Sequence, residues 1–322
     1  MSQTKNIRWL IAHEPVGLFL RTAEAFAEKI AELTNNEYTV EIFTPAEYRA
    51  KKQIEVSQPI PQLDPMVDME NGELEMSQLH ITELAKYHSP DFFALELPFI
   101  FRDHDHAARV LEGSIGKSLL TGLTDRSPAT GLAFTYSGGF RCVASDDAIG
   151  SLENLKGIKF ATTINPVTID TVEALGAVPE SFTIRDFAEK LREEGYSAEA
   201  LETTIPRYLA QFQNTTKKHL TNTKHNLFLT SIIVSNQFLA TLDADTQAKF
   251  QEACTYASRL ERKWSVEDAT NFAAKEDHSD IGVTYREVTA EETAELKAMT
   301  QPVIDKYKDF FTAGLVDGII RS

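Results

Sequence analysis

The sequence predicts an α/β protein of two lobes. A short apolar run that reads as a buried strand, followed by an amphipathic helix, occurs twice: at 7–11 followed by 18–33, and again at 158–161 followed by 167–175. The chain has 322 residues, more than one hydrophobic core usually serves. Two long amphipathic segments, 243–275 and 290–311, have the length to reach across both lobes.

In chain order, the strand at 7–11 is followed by a loop carrying His13, Glu14 and Pro15. That loop lies at the carboxyl end of a strand feeding a β-α-β crossover, where parallel α/β sheets place their ligands. Leu18, Ala25, Phe26, Ile30 and Leu33 recur on one helical face, and β-branched and aromatic residues at 38–43 predict the next strand. Pro59, Pro61 and Pro65 predict an irregular connection, after which helix and strand resume through 74–81. Residues 95–101 read as a buried turn or short strand, followed by helices over 103–111 and 114–123. Segments 129–136 and 140–145 flank Gly138 and Gly139, a place for the backbone to bend. The Asn165-Pro166 turn starts the helix of the second βα pair, and Gly176 closes it. A polar helical stretch at 184–194 is expected to lead through Gly195 into a long helix ending near 218, followed by an apolar β-type run at 228–235. A strand at 283–288 separates the two C-terminal helices, and no internal repeat is visible.

Lys and Arg number 32 against 48 Asp and Glu, a net charge of −16 that repels polyanions and argues against a nucleic-acid partner. No segment approaches the roughly 18 uninterrupted apolar residues of a membrane helix. The apolar run at 92–101 is broken by Glu96 and Pro98. The first seven residues lack the charged, apolar and small-residue regions of a secretory leader, so the expectation is a cytosolic chain or one whose leader has been removed. Cys142 and Cys254 show no metal spacing and are expected to be buried free thiols.

Catalytic motifs are missing: there is no nucleophile elbow, zinc-protease helix, Walker loop or dinucleotide fingerprint, and no cofactor or metal is expected. The run Arg102-Asp103-His104-Asp105-His106 has metal-ligand residue types, but acids at a helix start are better explained as caps. His80 and His225 flank apolar strands and read as hydrogen-bonded structural side chains. Arg141 follows two glycines in an apolar setting. A guanidinium there is either paired with an internal acid or kept for a ligand's acid, and spacing leaves the two even.

Several blocks, in order and spacing, resemble one family. They are Phe26-Ala27-Glu28-Lys29, Asn71-Gly72-Glu73-Leu74, Leu97-Pro98-Phe99-Ile100-Phe101, Leu155-Lys156-Gly157-Ile158-Lys159, Ala174-Leu175-Gly176-Ala177-Val178-Pro179 and Val234-Ser235-Asn236. Together they resemble the solute-binding proteins of tripartite ATP-independent periplasmic (TRAP) transporters, of the dicarboxylate- and sialic-acid-binding type. The resemblance implies a two-lobe periplasmic-binding-protein-like fold with hinge strands and a long helix spanning both lobes. Lobe I would comprise 1–137 and 229–270, and lobe II 138–228 and 271–322. It implies a periplasmic receptor that captures a small organic solute by hinge closure and hands it to membrane permease subunits, without being an enzyme. A ligand-sensing or interaction module on the same fold is the alternative.

Residue by residue, the resemblance implies that Arg141 contacts a ligand acid, with His80, Thr82, His13 and Glu14 facing the cleft, Phe228 lining it, and Thr163 and Asn165 joining the set. Thr203 aligns with a ligand-contacting asparagine of the family. One departure stands out: Ala161 occupies the place of the family's carboxylate-clamping arginine. A buried charge-assisted pair with a carboxylate contributes about 1.5–3 kcal/mol, so an ordinary acid would bind roughly ten- to a hundredfold more weakly without it. The expected ligand mode is therefore atypical, with Arg141, or Arg185 or Arg207 from another direction, as compensating cations.

Overall fold

Strand β1 (Lys5–Ile11) sits in a sheet whose order is β2-β1-β3-β10-β4, with β2 Tyr38–Phe43, β3 Met76–His80, β4 Ala129–Phe140 and β10 Leu227–Ser235. A second, six-stranded sheet runs β11-β9-β5-β8-β6-β7, with β5 Cys142–Ser145, β6 Lys159–Thr163, β7 Val178–Phe182, β8 Ala200–Thr203, β9 His219–Asn222 and β11 Thr284–Glu287. The computed structural model describes residues 4–12, 15–55, 63–85, 90–182, 196 and 198–322. Two compact units emerge: the first is Met1–His88, Leu111–Tyr136 and Leu229–Trp264, and the second is Ser89–Val110, Ser137–Phe228 and Ser265–Ser322.

In the first unit β1 pairs in parallel with β2 and β3, and β10 pairs antiparallel with β3, setting Thr230 opposite His80 and Ile232 opposite Gln78. The helix Val16–Leu33 buries Leu18, Phe19, Thr22, Ala23, Phe26 and Ile30, one stripe of a 3.6-residue period. That stripe packs on Trp9, with the Trp9 and Phe26 ring centroids 5.2 Å apart, and on Phe250 of the helix Ala244–Ala273.

In the second unit alternation along each strand supplies two apolar faces. Cys142, Ala144, Ala161 and Leu201 join one cluster with Tyr208 and Phe212, while Val143, Phe160 and Ala200 join another with Val172, Leu175 and Leu296. Both faces of this sheet are therefore covered.

The division departs from the sequence expectation at three places, because 89–110, 137 and 265–270 fall in the second unit. For 89–110 the reason is polar as well as apolar: Phe99 N–H donates to His225 O at 2.7 Å, and the His106 ring contacts Ile319 O at 2.7 Å. Around the glycine pair, β4 runs straight through both residues instead of breaking there. Gly138 has φ +93°, and a Cβ on it would stand 2.4 Å from Thr204 Oγ1, so only glycine fits this close approach. The expected long helix up to 218 is replaced by β8, a short helix Ile205–Gln211 and β9. Pro206 sits in the first turn of that helix, and Thr204, the extended residue at its start, donates its hydroxyl to Ser137 O instead of continuing a helix. The expected helix at 184–194 lies outside the described residues.

Candidate functional site

The second unit holds a buried cluster of opposite charges centred on Arg141, which is 1% exposed. Arg141 follows β4 directly, and its N–H is fixed to Asn226 O at 2.8 Å. Its guanidinium meets two carboxylates, Nη1 to Glu202 Oε1 at 2.9 Å and Nη2 to Glu96 Oε1 at 3.3 Å. Of the two alternatives left open for this arginine, the internal acid is the one observed.

Glu96 ends the 3₁₀ turn Pro90–Glu96 and also accepts from Asn165 Nδ2, while its backbone carbonyl accepts from Asn226 Nδ2 at 2.6 Å. Asn165 caps the helix Pro166–Ala174 through Val167 N–H at 2.9 Å, so one side chain starts a helix and holds an ion-pair partner. Glu202, on β8, accepts from Thr162 Oγ1 at 2.5 Å and lies 3.4 Å from His225 Nε2, whose other ring nitrogen is 2.6 Å from Thr223 Oγ1. Burial alone would raise the Glu202 carboxyl. The Arg141 charge and the bonds from His225 and Thr162 override it and hold the group at about 2, so Glu202 is ionised at neutral pH.

Beside this cluster, the Phe228 ring has the Arg141 guanidinium carbon 4.1 Å and the Arg207 guanidinium carbon 5.0 Å from its centroid. Arg207 is 2% exposed, and its Nε donates to Gln211 Oε1 at 3.0 Å. Thr163 is buried within 3.4 Å of the Thr168 hydroxyl, and Thr203 is buried on β8 opposite Cys142. Ala161 is fully buried in the apolar cluster of Cys142, Leu201 and Tyr208, and brings no polar atom to the unit. His13, Glu14 and Arg185 lie outside the described residues.

In the first unit His80 is fully buried at the end of β3, and its Nδ1 accepts from the backbone N–H of Thr82 at 3.3 Å. Two residues earlier, Gln78 joins a buried polar group. Its amide contacts Thr135, Thr230 and both oxygens of Glu261 at 2.8–3.1 Å, and Thr22 Oγ1 donates to Glu261 at 2.6 Å. Burial lifts the Glu261 carboxyl to about 8, against hydrogen bonds from Thr22, Gln78 and Thr135. It is largely protonated at neutral pH.

The Asp103 run behaves as a helix start. Asp103 Oδ1 accepts from His106 N–H at 2.7 Å, His106 Nδ1 accepts from Arg102 N–H at 3.1 Å, and its Nε2 faces Ile319 O. Among the described residues no group of three His, Cys, Asp or Glu is placed to hold a metal ion. Cys142 and Cys254 are free and buried, and burial pushes both thiols up, Cys142 to about 12. No helix among the described residues is long and apolar enough to cross a membrane.

The sequence did not single out Glu96, Glu202 or Asn226. Glu96 had a readable signal, since a charge inside the apolar run 92–101 needs a buried partner.

The chain thus forms two α/β units connected by several chain segments, with a buried ion-pair cluster in the second. A family model described as bacterial extracellular solute-binding protein, family 7, matches residues 15–309. The chain belongs to that family, the solute-binding proteins of TRAP transporters. The C4-dicarboxylate-binding periplasmic protein DctP of Rhodobacter capsulatus is 26% identical over 286 residues, covering 88% of this chain and 80% of that protein. A TRAP periplasmic solute-binding protein from Ochrobactrum anthropi, solved with its C-terminus bound in the ligand-binding pocket, superposes with a TM-score of 0.80 at 25% identity, covering 100% of this chain and 95% of the other. One from Polaromonas bound to D-erythronate gives a TM-score of 0.83 at 21% identity over 99% and 98%. As a member of this solute-binding family, the chain is a binding protein and not an enzyme.

Proposed function

We propose that this chain is the solute receptor of a TRAP transporter, taking up a small organic solute in the periplasm and delivering it to the membrane permease. The C4-dicarboxylate and erythronate named for its relatives place an acid-bearing metabolite among the first solutes to try. The observation that carries the proposal is the cluster around Arg141: two carboxylates, a guanidinium, two asparagines and a histidine gathered in one unit, all at most 5% exposed. Polar groups are costly to bury, and so many in one place suit a protein that must hold a polar solute.

We assign solute contacts to Arg141, Thr163, Asn165, Thr203 and Phe228 in the second unit, with His80 and Thr82 as candidates in the first and His13 and Glu14 in its first loop. Because Ala161 brings no cation and Arg141 is shared between Glu96 and Glu202, the grip differs from a fork on a carboxylate. Arg207, whose guanidinium also lies over the Phe228 ring, is a further buried cation beside the cluster.

Thermal denaturation with a panel of organic acids, sugar acids, amino acids and amines tests the proposal. A solute present at a hundred times its Kd adds about 2.7 kcal/mol, a rise in Tm of about 4 °C for a chain of this length. Arg141→Ala should then lower affinity for that solute at least tenfold. A panel in which nothing raises Tm would refute the receptor function, and unchanged affinity in the variant would remove Arg141 from the site.

A further inference from the structure

Behind Arg141 lies a cavity of about 10 Å³, room for one water-sized group. Its polar wall is Glu96, Glu202, His225 and Asn226, over an apolar floor that includes Phe160 and Leu175. We propose that this cavity is a subsite for a primary ammonium group, so that the solute of this receptor carries an amine. The proposal rests on the receptor function above and specifies its ligand class.

One acceptor of this wall lacks a donor. Asn226 is 4% exposed, and its Nδ2 is spent on Glu96 O, while its Oδ1 has no hydrogen-bond partner among the described residues. A buried amide oxygen left this way is rare and calls for a donor. Glu202 Oε1 takes both Arg141 and Thr162, whereas the contact of its Oε2 is the long one of 3.4 Å to His225. Thr168 and Thr171 also line the cavity. Each donates its hydroxyl proton to a backbone carbonyl, Thr171 to Val167 O at 2.7 Å and Thr168 to Asn165 O at 3.2 Å, which leaves both oxygens able to accept. An ammonium carries three N–H donors and no acceptor, which matches this wall.

Charge decides between an ammonium and a carboxylate. Two carboxylates stand in the wall, and Arg141 pairs with both. Arg207 is not part of the wall. A ligand carboxylate here would meet two like charges and an amide oxygen, with His225 Nε2 already facing Glu202.

Calorimetric titration with glutarate, 4-aminobutyrate and 1,4-diaminobutane, probes of similar length, tests the subsite. The amine-bearing probes should bind at least tenfold tighter than glutarate, and Asn226→Ala should remove that preference while lowering Tm by only the few degrees that the lost bond to Glu96 O accounts for. Glu202→Gln, which keeps the shape but not the charge, should also remove the preference, at a cost in stability from its lost pair with Arg141. A crystal grown with 4-aminobutyrate should show its nitrogen within hydrogen-bond distance of Asn226 Oδ1. Glutarate binding as tightly as 4-aminobutyrate, an unchanged preference in Asn226→Ala, or a structural water alone in the cavity would each overturn the amine subsite and leave the receptor function standing. Failure of every solute class in both titration and thermal shift would overturn both.

Discussion

Raising the pH should weaken this protein through one buried side chain. Glu261 is fully buried among Thr22, Gln78 and Thr135, with burial lifting its carboxyl from 4.5 to about 8. The folded chain therefore holds a proton that the unfolded chain releases. The stability this contributes is fully present below pH 4.5, declines as pH rises through 8 and is then exhausted. At about 1.4 kcal/mol per pH step across that gap, the whole decline is about 5 kcal/mol, of which about 3 kcal/mol falls between pH 5.5 and 9. Glu261→Gln keeps the shape and stays neutral throughout. Urea unfolding of both proteins at pH 5.5 and pH 9 should show the variant gaining about 3 kcal/mol relative to the parent over that interval. Parallel profiles would mean that Glu261 is already ionised at neutral pH, and would refute burial as the dominant influence on it.

Removing the Arg141 charge with Arg141→Met should cost about 3–5 kcal/mol in urea unfolding, because Glu96 and Glu202 are left buried without their cation. Glu202 titrates in the opposite sense to Glu261: its carboxyl is held at about 2, so its stabilisation is present above 4.5 and lost as pH falls toward 2. In Arg141→Met the acid limb of the stability profile should flatten between pH 4.5 and 2.5. Gly138→Ala should destabilise by about 1–3 kcal/mol through its left-handed backbone and the clash with Thr204, measured by thermal unfolding. Cys142 and Cys254 should react with a thiol reagent only at the rate of unfolding, since both are buried and their thiolates are disfavoured.

What could be read in the sequence followed local periodicity. The strands of the two βα pairs, the Asn165-Pro166 helix start and the long helix from 244 are set by alternation, capping and amphipathic stripes, all short-range signals. The segment 200–222 was misread because strands of four residues carry too few positions to show a period, and the polar stretch before them resembled a helix. The glycine pair was read as a place to bend between two segments because a sequence does not display Thr204, whose approach from another strand end makes Gly138 necessary within a continuous β4. The polar cluster was half legible. Arg141 stood out as a buried cation, but its partners Glu96 and Glu202 come from 45 and 61 positions away in the chain. Pairing over such separations is a tertiary fact. Asn226 gave no signal at all, since its importance lies in an amide oxygen without a donor.

The most direct test of solute capture by this cluster is a crystal structure of the protein with the solute that raises its Tm most. The expected result is density for that solute within hydrogen-bond distance of the Arg141, Asn165 and Asn226 side chains. Solute density that leaves all three untouched, with the Arg141 pairs to Glu96 and Glu202 unaltered, would contradict it.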